Sequence, residues 1–73
     1  MSGELVRLIA EALVERPGQV RVEERGDEIA LDVHPDDRGK VIGREGRTIQ
    51  ALRSLLAVSS RHQGRAWRLD LLE

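Results

Sequence analysis

The segment from residue 41 to residue 53 reads VIGREGRTIQALR, and two glycines interrupt its apolar, helix-forming pattern. Each glycine inside a helix costs about 1 kcal/mol relative to alanine. The segment is therefore predicted to be two helices joined by a turn. In that turn Gly43 and Gly46 would provide positive φ angles or let another backbone approach closely.

Upstream of this turn, periodicity predicts one helix and two strands. Residues 3–18 have apolar residues at helical spacing, with Ser2 as a possible N-cap and Pro17-Gly18 as a stop. The apolar residues at this spacing are Leu5, Leu8, Ile9, Ala12 and Leu13. The next two segments alternate with period two around a turn at residues 25–27. Their inward-facing residues are predicted to be Val20, Val22, Ile29, Leu31 and Val33.

A short helix from about residue 37 to residue 42, which Asp36 can cap, leads into the glycines. Beyond them, residues 47–64 predict a long helix closed by Gly64, and a last strand places Trp67 in the core with Leu69 and Leu71. The order is α-β-β-α-α-β. This order predicts a single α+β domain over residues 1–73, a three-stranded sheet packed on one face by three helices.

The long helix has more apolar surface than one sheet face covers. Its first apolar stripe consists of Ile49, Leu52 and Leu56. A neighbouring stripe consists of Ala51, Leu55 and Val58. A helix packed on a sheet buries one such stripe, so the second either covers the first helix or is a possible interface with a second copy or another protein.

Composition restricts the class of protein. The chain has no cysteine, which excludes a disulfide framework and a thiolate metal site and fits a reducing compartment. The segment MSGELVRLIA lacks the apolar core of a secretory signal, and no run of about 18 apolar residues is present. We therefore expect a soluble, cytoplasmic protein with no membrane insertion.

Charge is distributed unevenly along the chain. Residues 1–37 contain ten acidic and four basic residues (−6), and residues 38–73 contain three acidic and eight basic residues (+5), which gives the net −1. A basic half that begins just before the glycines suits a polyanion. The alternative is that these charges only keep a small domain in solution.

The predicted turn itself has features of an anion site. The N-terminus of the long helix is mildly positive, Arg44 lies at the tip, and Lys40 and Arg47 flank it. A phosphodiester backbone could lie across the glycines. A plain connection with glycine as a helix C-cap remains the alternative. A nucleotide P-loop fits worse, because that motif needs four residues between the glycines and a lysine after the second.

No group of residues assembles a catalytic or metal site. His34 and His62 have no metal-ligand spacing. Asp36 and Asp37 follow Pro35, a position that favours helix capping over acid–base chemistry. No serine lies in a Gly-x-Ser-x-Gly elbow. We predict that the chain is not an enzyme and uses no metal or cofactor.

The segment VIGREGRTIQALR resembles the signature of the KH RNA-binding domain, an apolar pair, a Gly-x-x-Gly loop and an isoleucine three residues on. The element order resembles the bacterial, type II arrangement, and a free-standing domain of this length is similar to the KhpA family. The resemblance covers the chain from about residue 5 to residue 72. It implies an N-terminal extension at about 3–25 and a KH core at about 28–72.

For function, the resemblance implies that the loop clamps the backbone of about four unpaired nucleotides while bases lie in an apolar groove. The implied RNA-binding positions are Lys40, Val41, Ile42, Gly43, Arg44, Glu45, Gly46, Arg47 and Ile49, with Arg53 as a further cation. Glu45 departs from the family pattern, because a carboxylate there repels phosphate unless it pairs with Arg44 or Arg47. Binding to single-stranded RNA is therefore expected to be weak, salt-sensitive and tolerant of sequence.

The resemblance also implies partners and a cellular role. Members of the family self-associate, pair with a larger Jag-type RNA-binding protein, and are linked to cell elongation, cell shape, cell wall assembly and division. An RNA chaperone or post-transcriptional regulator is the expected role, with Ala51, Leu55 and Val58 as the candidate homodimer interface. The alternative is a protein-interaction subunit whose loop is vestigial and whose long helix mediates dimerisation.

Overall fold

The computed structural model describes residues 2–64 and 66–73. Its main elements are α1 (Ser2–Leu13), β1 (Arg21–Arg25), β2 (Glu28–Asp32), α2 (Arg38–Ile42), α3 (Arg47–Gln63) and β3 (Arg68–Leu71). Single 3-10 turns precede β1, α2 and α3. The α+β class and the predicted order α-β-β-α-α-β are confirmed. The predicted cap at Ser2 and the His62 side chain lie outside what the structure describes.

The three strands form one mixed sheet in the order β1-β2-β3. β1 and β2 are antiparallel and joined at the predicted turn, where Gly26 has a φ of 58°. β2 and β3 are parallel, with Glu28 opposite Arg68 and Leu31 opposite Leu71. A parallel pair needs a crossover connection. In this chain α2, the glycine turn and α3 form that crossover.

The strand alternation and the first stripe of α3 produce the core as predicted. Of the residues predicted to face inward around the hairpin, Val20, Ile29, Leu31 and Val33 are buried and Val22 packs against them. From α3, Ile49, Leu52 and Leu56 are at most 6% exposed. Fully burying each of these aliphatic side chains contributes about 1.5–3 kcal/mol. This burial fixes the orientation of α3 and hence of the turn at its start.

The buried face of α1 differs from the expected one. Val6 and Ala10 are buried, whereas Leu8 is 66% exposed. A Cβ atom at Gly3 would lie 2.9 Å from Oε2 of Glu24, so the helix starts very close to β1. Val6 and Ala10 thus face the core and Ile9 packs at its edge, whereas Leu8 points outward.

The second stripe of α3 is not covered by the first helix. Leu55 is 48% and Val58 is 52% exposed, and Ala51 is also exposed. The hypothesis that this stripe packs against α1 is therefore wrong, because α1 meets the opposite, already buried side of the core. Within the described residues, no helix has the length and apolarity needed to cross a membrane.

Asp37 anchors the start of α2. Its fully buried carboxylate accepts backbone N–H bonds from Glu15 at 3.3 Å and Arg16 at 3.2 Å. Asp36, predicted to cap α2, is exposed; its carboxylate pairs with Arg16 and its backbone N–H donates to Nδ1 of His34. That prediction is wrong, because α2 begins after Asp37. The carboxylate of Asp37 joins the start of α2 to the segment that follows α1 in the chain.

Candidate nucleic-acid interface

The two glycines do lie in a tight turn between helices. The φ angle is 77° at Gly43, 56° at Glu45 and 75° at Gly46. The N–H of Gly46 donates to the carbonyl of Gly43 at 3.1 Å, and the N–H of Arg47 donates to the carbonyl of Arg44. The predicted need for positive φ is confirmed at both glycines, and Glu45 adopts it as well.

Gly43 and Gly46 serve different purposes. A Cβ atom at Gly43 would lie 2.2 Å from Oγ1 and 2.9 Å from the backbone nitrogen of Thr48, so Gly43 closes the turn against the first residues of α3. A Cβ atom at Gly46 would meet no heavy atom within 4 Å. The backbone at Gly46 is therefore open to a ligand, and only hydrogen covers it.

The three cations near the turn have different surroundings. Arg44 is exposed and has no ion-pair partner in the described part of the chain. Arg47 lies 3.5 Å from Oε2 of Glu45, and both side chains are more than 70% exposed. Lys40 Nζ lies 3.7 Å from Oε1 of Glu15. Exposed pairs of this kind contribute about 0–1 kcal/mol, so a phosphate can displace Glu45 at little cost.

The apolar positions of the motif lie mainly beneath the turn. Val41 is completely buried and Ile49 is 6% exposed, so both belong to the core. Ile42 is half-buried and packs against that core. Among these three residues, only Ile42 has side-chain surface beside the turn. The other two hold α2 and α3 at the angle that the turn requires.

An open cleft of about 330 Å³ lies between α3 and β3. Its lining consists of Arg53, Leu56, Trp67, Arg68 and Leu69. Arg53 Nη2 donates to the carbonyl of Leu69 at 3.3 Å. Arg53 lies six residues after Arg47, about 9 Å along the helix axis. The cleft thus combines an apolar floor with guanidinium groups, close to the turn on the same helix.

Two residues of this cleft were not expected to be functional. Trp67 is half-buried and packs against the core, in partial agreement with its prediction as a core residue, and it also lines the cleft. Its backbone N–H donates to Ser60 Oγ at 3.0 Å, which holds this segment against α3. Arg68, the next residue, faces the side of β3 opposite to that of Trp67. Both reach the cleft because β3 is an edge strand, a property that the sequence pattern of β3 alone does not indicate.

A family model described as "KhpA/KhpB, KH domain" matches residues 3–71. The chain belongs to this KH-domain family. It is 51% identical to RNA-binding protein KhpA of Halalkalibacterium halodurans over 73 residues, with 94% of this chain and 96% of the relative covered. It is 40% identical to RNA-binding protein KhpA of Treponema pallidum over 77 residues, covering 100% of this chain and 96% of the relative.

A third relative, RNA-binding protein KhpA of Streptomyces coelicolor, is 39% identical over 77 residues that cover 100% of this chain and 94% of the relative. The resemblance noted from the sequence is confirmed. KH domains hold nucleic-acid backbone at a Gly-x-x-Gly loop. In this member of the KhpA/KhpB family, that motif is the turn at residues 43–46 between α2 and α3.

Proposed function

We propose that this protein is a non-catalytic RNA-binding protein that grips the backbone of single-stranded RNA at residues 43–46, with bases entering the α3–β3 cleft. The observation that carries the proposal is the open backbone at Gly46 beside an unpaired Arg44. The names of the relatives support it. Contacts to the backbone position an RNA without reading its sequence, so low sequence preference follows.

Binding is expected to be micromolar or weaker and strongly dependent on salt. If three or four phosphates are neutralised, log K falls with log salt at a slope of roughly −2 to −3. The carboxylate of Glu45 supports weak binding, because it lies within the proposed clamp and repels a phosphate there.

Charge reversal at the tip tests the proposal. Arg44→Glu is expected to weaken binding of a single-stranded octanucleotide about tenfold and to make the salt slope shallower by about 0.7, the contribution of one phosphate. Fluorescence anisotropy over a salt series measures both quantities. Arg44 is exposed, so the variant should keep its melting temperature.

Arg61→Glu provides the matched control. Arg61 is exposed, as Arg44 is, and lies in α3 near the end that is farther from the turn. Its replacement by glutamate changes the net charge by the same amount. It should lower affinity far less than Arg44→Glu. Equal weakening by the two variants would show that RNA senses only the overall charge, and the clamp at residues 43–46 would be rejected.

A second candidate function is assembly through the exposed stripe of α3, as a homodimer or against another protein. Leu55→Asp places a charge at the centre of this stripe and is expected to reduce the oligomeric mass in light scattering, with the fold retained. Ala57→Asp is the control, because Ala57 is also exposed on α3 but is neither three nor four residues from Ala51, Leu55 or Val58. An unchanged mass for Leu55→Asp would exclude the stripe as the interface.

We extend the proposal to a cytoplasmic RNA chaperone or post-transcriptional regulator that acts in cell elongation, cell shape, cell wall assembly and division. A heterocomplex with a larger Jag-type RNA-binding protein is part of this role. The support is membership of the KhpA/KhpB family. Sequencing the RNA and identifying the protein that co-purify from the native cell tests it directly.

A further inference from the structure

A second cleft lies at the opposite end of α2 from the glycine turn. It has a volume of about 430 Å³, and its polar lining includes Gln19, Arg21, Asp32, His34 and Arg38. None of these residues belongs to the turn or to the α3–β3 cleft. Because α2 has five residues, its two ends are only about 7 Å apart.

Both arginines of this cleft are without an ion-pair partner among the residues that the structure describes. Arg38 Nε is shielded from solvent and has no hydrogen-bond partner in the described part of the chain. Arg21 lies opposite Asp32 in the register of β1 and β2, yet it too forms no ion pair there. A shielded donor without an acceptor is unfavourable. The outer guanidinium nitrogens of Arg21 and Arg38, by contrast, are the groups that an anion in the cleft would contact.

The remaining polar groups set what kind of anion fits. His34 Nδ1 accepts the N–H of Asp36 at 3.0 Å, so in the neutral ring the proton is on the other nitrogen, which can donate into the cleft. Asp32 opposes an anion. Two guanidinium groups against one carboxylate leave the lining positive. Guanidinium forks match the oxygen geometry of phosphate.

We propose that this cleft is a second phosphate site, separate from the Gly-x-x-Gly turn. The phosphate group comes either from a small free anion or from a further phosphodiester of an RNA strand held at the turn. The second source rests on the proposed function. In that case one RNA strand would extend along α2 from the turn to the second cleft. An RNA long enough to reach both would then bind more tightly than one that reaches the turn alone.

The test uses the full chain labelled with ¹⁵N, and it follows the Nε–Hε signal of Arg38 during titration with inorganic phosphate, a tetranucleotide and an octanucleotide. We expect a saturable shift with phosphate or with the octanucleotide. The affinity obtained from that shift should fall about fivefold in Arg21→Gln and rise about threefold in Asp32→Asn, because each substitution changes one charge beside the anion. Arg61→Gln, an exposed arginine elsewhere, should leave it unchanged.

The outcomes separate this site from the proposed RNA clamp. In the Arg44→Glu variant the response of Arg38 to inorganic phosphate should persist, even if RNA binding at the turn is lost. A response to phosphate alone assigns a free anion as the source, and a response to the octanucleotide but not the tetranucleotide assigns the strand. The second site does not exist if neither inorganic phosphate nor the octanucleotide shifts the Nε–Hε signal of Arg38. The same conclusion follows if Arg21→Gln behaves like Arg61→Gln.

Discussion

Replacing Asp37 with alanine is expected to lower the free energy of unfolding by about 3 kcal/mol. The carboxylate is fully buried and accepts the backbone N–H groups of Glu15 and Arg16, which alanine would leave without acceptors. It also lies 3.7 Å from the Arg16 guanidinium and 3.9 Å from Lys40 Nζ. Urea unfolding followed by circular dichroism measures the loss.

Asp36→Ala is the matched control for this prediction. Asp36 is the preceding residue and has the same charge, but its side chain is 70% exposed and its contacts are ion pairs longer than 3.5 Å. Its removal should cost less than about 1 kcal/mol. Equal losses for the two variants would mean that charge near α2, and not the buried anchor, stabilises this region.

Gly43→Ala is expected to be the second severe change, with a loss of about 3 kcal/mol or more, since it combines a φ of 77° with a backbone clash. The new methyl group would lie 2.2 Å from Thr48 Oγ1 and 2.9 Å from Thr48 N. The side chain of Thr48 can rotate, but its nitrogen belongs to the first turn of α3. Relief therefore requires α3 to move, and thermal unfolding should show a large drop in Tm.

Gly46→Ala is the comparison within the same turn. Gly46 has a ψ of 14°, which is left-handed helical and open to other residues. The ψ of 172° at Gly43 lies in a region almost confined to glycine, so both the backbone and the clash favour a larger loss at Gly43. Gly46 has nearly the same φ, 75°, but open space around the missing Cβ atom. Its cost should be limited to about 1–2 kcal/mol, the penalty of a left-handed residue. The variant should bind RNA more weakly because the methyl group covers the open backbone. If both glycine variants lost the same stability, the clash at Gly43 would have no effect.

The elements that the sequence predicts well are those with large aliphatic residues at regular spacing. Ile49, Leu52 and Leu56 are buried as expected because bulky side chains at helical spacing have only one core to enter. The hairpin at Gly26 and the helix end at Gly64 also agree, since both need a positive φ that glycine provides. The Gly-x-x-Gly turn was found for the same reason.

What the sequence does not predict depends on contacts between distant segments. The buried Asp37 joins the end of α1 to the start of α2, 21 and 22 residues away, and no local pattern indicates which of two adjacent aspartates enters the core. The face of α1 was wrong because close packing selected Ala10 over Leu8. Trp67 packs against the core as the alternation indicates, but its place in the α3–β3 cleft depends on β3 being an edge strand.

The crossover between β2 and β3 has a consequence for how the domain is made. Residue 68 pairs with residue 28, so 40 positions separate partners in neighbouring strands, whereas the hairpin pairs residue 25 with residue 28. Closing the longer segment costs more chain entropy. During synthesis the hairpin can therefore form first, and the parallel pair must wait until residues 68–71 have been made. The glycine turn lies inside that longer segment, so the crossover that contains it is closed only after β3 has been made.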